Sequence, residues 1–210
     1  MEKPANHYLE RQVIFMKISK VFIPVFMILT LTISIIQPII ATSENISDKV
    51  LRLHILANSD STDDQDLKLK VKNYFLENTA DLFVGKTLEE NIEIAENNIP
   101  YIEELCNECI AQNGYDYTAK VTVDEEYFDT RVYDDFTLPA GTYNSIKIEI
   151  GQGSGHNWWC IVFPSVCLSA CSKSMSEYLT DEEMNLITDG YTPKFKVIEI
   201  YEKIKSRLNQ

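Results

Sequence analysis

The feature that most constrains this chain is a run of twenty residues without a charge, Val21–Ile40 (VFIPVFMILTLTISIIQPII), and no charged residue falls between Lys20 and Glu44. A helix needs about 20 apolar residues to cross the ~30 Å hydrocarbon core of a bilayer. A helix apolar on every side fits poorly in a small domain, where one face must meet water. Lys3, Arg11, Lys17 and Lys20 precede the run, and Glu44 and Asp48 follow it. The positive-inside rule therefore puts the N-terminus in the cytoplasm and the rest of the chain outside. Two readings fit this segment. The apolar heart Val25–Ile36, then Pro38 and the small residues Ala41-Thr42-Ser43, suits a signal peptide cleaved before Glu44. The length of the run equally suits a retained anchor. Either way the expected division is a leader, 1–43, and an exported domain, 44–210.

Charge follows the same division. The chain has 19 bases and 32 acids, a net of −13. Four bases against two acids give the leader +2, so the exported domain carries −15. That balance argues against nucleic acid as a partner, since phosphate binding needs a basic surface. Apolar residues at 45% and charged residues at 24% are ordinary globular values, which excludes wholesale disorder and a multi-span membrane protein. Residues 87–126 hold eleven acids and one base, whereas 194–210 is +3.

Within the exported domain, Val50–Ala57 (VLRLHILA) reads as a strand. Asn58 and Asp60 form a turn, and Ser61 with Asp64 resembles a capping box that starts a helix. Leu67, Val71, Tyr74, Phe75 and Leu82 recur at helical spacing, with Lys68 and Lys72 expected to face water. Leu88, Ile92, Ala95, Ile99, Ile102, Cys106 and Cys109 make a second stripe, which Pro100 should kink or restart and Gly114 should close. Tyr117–Val123, a weaker segment near Thr130–Phe136, and Ile146–Ile150 alternate as strands. Trp158–Phe163 (WWCIVF) is apolar throughout, which suits a central strand covered on both faces. Thr180 and Glu183 start a short helix ended by Gly190, and Val197–Leu208 forms the last one. The expected fold class is α+β: a mostly antiparallel sheet of about five strands with helices packed on it, preceded by the apolar export helix.

Short motifs for chemistry are weak. Gly151, Gly153 and Gly155 lead from one strand into another, not into a helix N-terminus, and position 156 is His. A hairpin turn is therefore expected rather than a phosphate loop, with glycines that let a partner approach the backbone. Cys106-x-x-Cys109 lies inside an apolar stripe and has no second pair, so two buried thiols are expected, not a metal site. Cys160 and Cys167 flank a turn in an exported domain, and a bridge between them is expected, with Cys171 as competitor. Asp60, Asp63, Asp64 and Asp66 lack the glycine and closing Glu of a calcium loop. No metal, cofactor or small-molecule substrate is expected. Trp158 and Trp159 must point to opposite faces of their strand, so one can enter the core while the other anchors a partner. With Asn157 and the three glycines they form the candidate binding surface.

Two ordered blocks carry a family resemblance. The first is Arg52–Ser61 (RLHILANSDS) running on through Asp64-Gln65 and Leu67–Lys72; the second is Leu138–Tyr143 (LPAGTY), the glycine loop, and Asn157–Pro164 (NWWCIVFP) with Cys167. Together they resemble the stage II sporulation protein R family over roughly 50 to 170. The family pattern has proline where Asp129 and Ser165 stand and an aromatic where Leu168 stands, which affects local turn geometry. The resemblance implies a non-enzymatic intercellular signal made in the forespore. It would be exported across the forespore membrane into the intermembrane space, secreted or anchored there by residues 21–40. It would activate a membrane-embedded aspartic protease of the mother cell that processes the precursor of sigma factor E. Two rival readings differ in class. One is a cell-wall enzyme using His54, His156 and nearby acids. The other is a structural septal protein that binds a basic partner through Glu89, Glu93 and Glu96.

Overall fold

The computed structural model describes residues 4–164 and 171–208, in two compact units, Met1–Ala41 and Thr42–Gln210. Helix α1 (Pro4–Ser47) contains Pro24 and Pro38. Its stretch Lys20–Ser47 is long and apolar enough to cross a membrane. Val21, Phe22 and Ile28 are 62%, 68% and 64% exposed, so the run is not a core helix of its own unit. This agrees with a signal or anchor segment.

The second unit is an α+β domain. Strand β1 (Leu51–Leu56) is followed by helices α2 (Thr62–Thr79), α3 (Leu88–Asn97) and α4 (Ile99–Gln112). Then come β2 (Ala119–Phe128), the short β3 (Arg131–Val132) and β4 (Thr137–Leu138), β5 (Gly141–Ile150) and β6 (Asn157–Phe163). Helices α5 (Cys171–Tyr178), α6 (Asp181–Thr188) and α7 (Pro193–Leu208) close the chain. The helix starts obey their local signals. Ser61 accepts from the Asp64 amide at 3.2 Å, and Thr180 and Glu183 form a reciprocal capping box. Pro100 restarts the second stripe as a separate helix, since it occupies the first turn, where its missing N–H costs nothing.

The main sheet departs from expectation in two ways. It has four strands, not five, in the order β2-β5-β1-β6, and it is mixed: β1 and β5 run parallel, with antiparallel β2 and β6 at the edges. The fifth candidate, near 130–136, instead forms a separate ribbon of β3 with β4. A parallel neighbour needs a long connection, and the three helices with β2 supply it. The other correction concerns β6. It is an edge strand, buried only over its last three residues, so its apolar composition did not mark a central position. The two inner strands are β1 and β5.

The alternation of β1 sorts its residues to two faces. Leu51, Leu53 and Ile55 join Ile146, Ile148 and Ile150 of β5 under α2 and α4, all at most 1% exposed. Each such side chain contributes about 1.5–3 kcal/mol by burial. Arg52 and His54 point to the other face, toward Phe128, Tyr143 and Trp159. The outer edge of β2 is closed by side chains of α4: Asn107 accepts from the Ala119 amide at 2.7 Å and Glu103 from the Val121 amide at 2.9 Å. Such caps stop an edge from pairing with foreign strands.

Candidate functional site

The strand order decides what the glycine segment does. Because β5 and β6 flank β1 instead of pairing with each other, residues 151–156 are not a hairpin turn. They cross over the C-terminal end of β1 and must pack on the turn that follows it. The Gly155 amide donates to Ala57 O at 2.9 Å, the Gln152 amide to Asn58 Oδ1 at 3.0 Å, and Ser154 Oγ to Asn58 O at 2.6 Å. Gly151 and Gly153 both have φ of +59°, a conformation that favours glycine. A Cβ on Gly155 would collide with the backbone carbonyl of Ser59.

The turn is itself held by Asp64. Asn58 Nδ2 donates to Asp64 Oδ2 at 2.9 Å, and Ser59 Oγ donates to the same oxygen. Burial alone would raise the Asp64 carboxyl, but the donors Ser59, Asn58 and Ser61 more than offset it and hold it below its ordinary value. Asp60 is also lowered, by hydrogen bonds from the side chain and backbone of His156. Lys68 was expected to face water. It is buried instead, donating to His156 O at 2.9 Å and to Gln65 Oε1 at 2.6 Å, and burial lowers its pKa. Helical periodicity sets only the direction of a side chain, and the long lysine stem reaches from there to an unpaired carbonyl of the crossover.

Both carboxylates are depressed in the folded state. Their stabilisation is therefore complete above the unfolded carboxylate range, near pH ~4, and is lost as pH falls through the lower folded values. Asp64→Asn should lower stability at neutral pH by about 1–3 kcal/mol, the penalty for leaving buried donors short of an acceptor. It should also flatten the fall of Tm with acidification, which thermal melts of both proteins over acid pH would show. An unchanged acid slope would exclude Asp64 as the titrating group.

Beyond this latch lie the two tryptophans, on opposite faces as expected. Trp158 is 36% exposed, and Lys72 Nζ sits 4.5 Å from its ring. Trp159 stacks on His54 at 3.8 Å, meets Phe128 edge-on at 4.8 Å, and carries the Arg131 guanidinium 5.1 Å above its ring. Asp60, Arg131, Ser154, Gly155, His156, Asn157 and Trp159 line a cleft of about 420 Å³. The cleft gathers Gly155, Asn157 and Trp159 of the expected surface, while Trp158 lies on the other face of the strand beside Lys72, and sequence reasoning missed Arg131 and Lys72. No short motif marks either: they arrive from β3 and α2 through the sheet.

His54 and His156 have separate partners. His54 is buried, with Nδ1 3.0 Å from Glu126 Oε2, while His156 is exposed and paired to Asp60. Glu126 also accepts from Ser145 Oγ at 2.8 Å, and these bonds lower its carboxyl against the opposing effect of burial. Cys106 and Cys109 are free and buried, and burial pushes the Cys106 thiol up to about 12. Cys160 is disulfide-bonded; Cys167, its expected partner, lies outside the described residues. No group of three or more His, Cys, Asp or Glu arranged to hold a metal occurs among the described residues.

Comparison with known proteins gives a consistent picture. Residues 47–173 match the family model described as stage II sporulation protein R. A relative of the same name from Bacillus subtilis (strain 168) is 34% identical over 132 residues, covering 62% of this chain and 57% of the relative. No solved structure matches.

Proposed function

Since the chain belongs to the stage II sporulation protein R family, we propose that it is the exported signal by which a forespore activates a membrane-embedded aspartic protease of the mother cell, which then processes the sigma factor E precursor. The chain spans little more than half the length of its Bacillus subtilis relative, so this reading concerns the matched domain. The apolar helix carries the domain across the forespore membrane into the intermembrane space, and the activator acts by binding, without chemistry of its own. The observation that supports this most is Trp158, 36% exposed at the start of the edge strand that follows the crossover.

Activation follows if the domain binds the active arrangement of the protease more tightly than the idle one. Moving such an equilibrium from 1:99 to 99:1 takes about 5.5 kcal/mol of differential binding. One tryptophan anchor contributes about 2 kcal/mol or more. Trp158 therefore needs help, which the exposed Asn157 beside it supplies.

The test is co-expression with the protease and its precursor substrate in a heterologous host, scoring cleavage. Trp158→Ala together with Asn157→Ala should reduce processing by roughly 30-fold or more while leaving the melting temperature near that of the parent. Undiminished processing by that folded double variant would remove this surface from the mechanism. Trp159 is unsuited to the experiment, because it packs on His54 and Phe128 and its removal would disturb them as well.

A further inference from the structure

Helix α7 presents an outward stripe that the activator reading does not use. Phe195 and Ile198 face the core, and Glu202 is buried beside Lys205. Pro193, Lys194 and Ser206 are exposed, and so are Lys196, Ile200, Lys203, Ile204, Arg207 and Leu208. At 100° per residue the latter six fall within an arc of about 140°. The stripe thus carries three bases, three large aliphatic side chains and no acid, on a domain whose net charge is −15. Ile200, Ile204 and Leu208 are 52%, 54% and 79% exposed. Lys196 is paired with Glu199 at 2.9 Å, whereas Lys203 and Arg207 have no ion pair among the described residues.

The helix is also tied to the start of its own domain. Lys205 Nζ lies 2.7 Å from Glu44 Oε1, and Tyr201 Oη donates to the same oxygen at 3.3 Å. Glu44 is only four residues beyond Ile40, the end of the uncharged run. A helix with aliphatic residues along one face, flanked by lysine and arginine and free of acids, has the chemistry of a segment that lies in a bilayer interface. Each basic residue near an anionic leaflet adds about 1 kcal/mol of attraction.

We propose that the outward face of α7, formed by Ile200, Lys203, Ile204, Arg207 and Leu208, docks on an anionic phospholipid surface. This goes beyond the activator reading and does not depend on it. Docking fixes the rotation of the domain at the membrane, so the crossover and Trp158 are presented in one orientation instead of many.

The test uses the full chain reconstituted in phosphatidylcholine vesicles with or without phosphatidylglycerol. Ile204→Cys carries an environment-sensitive NBD label, and Val132→Cys, which is 69% exposed on β3, carries the same label as a control. The parent chain, whose free Cys106 and Cys109 are buried, sets the labelling background. Emission at position 204 should rise about twofold or more in phosphatidylglycerol vesicles alone. It should fall back at high salt and in the variant Lys203→Glu with Arg207→Glu, while position 132 stays unchanged. Continued protection of Cys106 and Cys109 from a thiol reagent shows that the variants remain folded. No rise at position 204 would overturn the proposal. So would a rise that ignores lipid charge and follows protein density, since a second copy would then cover the stripe. An equal rise at position 132 would overturn it too.

Discussion

Gly155→Ala is expected to destabilise the domain by about 3 kcal/mol, at the upper end of what overpacking costs, and to lower Tm by roughly 6–12 °C for a domain of this size. A methyl at this position would meet the backbone O and C of Ser59, and at 3.0 Å the Cβ of Ala57. Neither neighbour can swing aside as a flexible side chain would, because both belong to the end of β1 and the turn held by Asp64. Relief would require lifting the crossover, which breaks the bonds from Gly155 to Ala57 and from Ser154 to Asn58. Gly153→Ala provides the contrast. Its added carbon meets only the Glu149 side chain at 3.5 Å, so the cost is that of a positive φ in a non-glycine residue, about 1 kcal/mol. Thermal melts of the two variants, with far-UV spectra to confirm folding, would rank them. Equal losses would mean that backbone conformation, and not close approach, makes the segment glycine-rich.

Arg52 should give the second large effect, with an informative reversal. The side chain is fully buried, its guanidinium lies 4.1 Å from the Phe128 centroid and 5.0 Å from that of Tyr143, and Nη2 donates to Tyr133 Oη at 2.8 Å. Nε and Nη1 have no hydrogen-bond partner among the described residues. Desolvating the cation costs several kcal/mol. Two desolvated ring contacts return about 2 kcal/mol each, and a charged hydrogen bond about 1.5–3. The balance is close to zero, so what Arg52 adds to stability is mainly volume. Arg52→Ala, which leaves a cavity under three aromatic rings, should cost about 3–5 kcal/mol. Arg52→Met, which fills the space without the charge, should stay within about 1.5 kcal/mol of the parent. Chemical denaturation of both variants decides it. A loss in Arg52→Met as large as in Arg52→Ala would show that the charge itself holds the β3–β4 ribbon through Tyr133.

Much of the local structure was legible because it depends on local physics. The caps at Ser61 and Thr180, the restart at Pro100 and the opposite facing of Trp158 and Trp159 all follow from neighbours a few residues apart. The candidate surface was legible in its residues but not in its construction. A glycine-rich link between two strands looks the same whether it turns a hairpin or crosses a third strand. Lys68 and Arg131 gave no signal, since each acts on groups 88 and 28 positions away in the chain.

The sequence by itself determined that a membrane-competent helix precedes an acidic α+β domain, because an uncharged run of bilayer length and a period of 2 or 3.6 are properties of consecutive residues. Only the tertiary structure decided the order β2-β5-β1-β6. Strand pairing joins amides and carbonyls that any strand possesses, so the choice rests on burial across distant elements. With β1 between β5 and β6, its leucines and isoleucine are covered by α2 and α4, and Arg52 and His54 by aromatic rings. That placement sends the glycine segment over the end of β1, and so sets Trp158 and the cleft at one edge of the sheet.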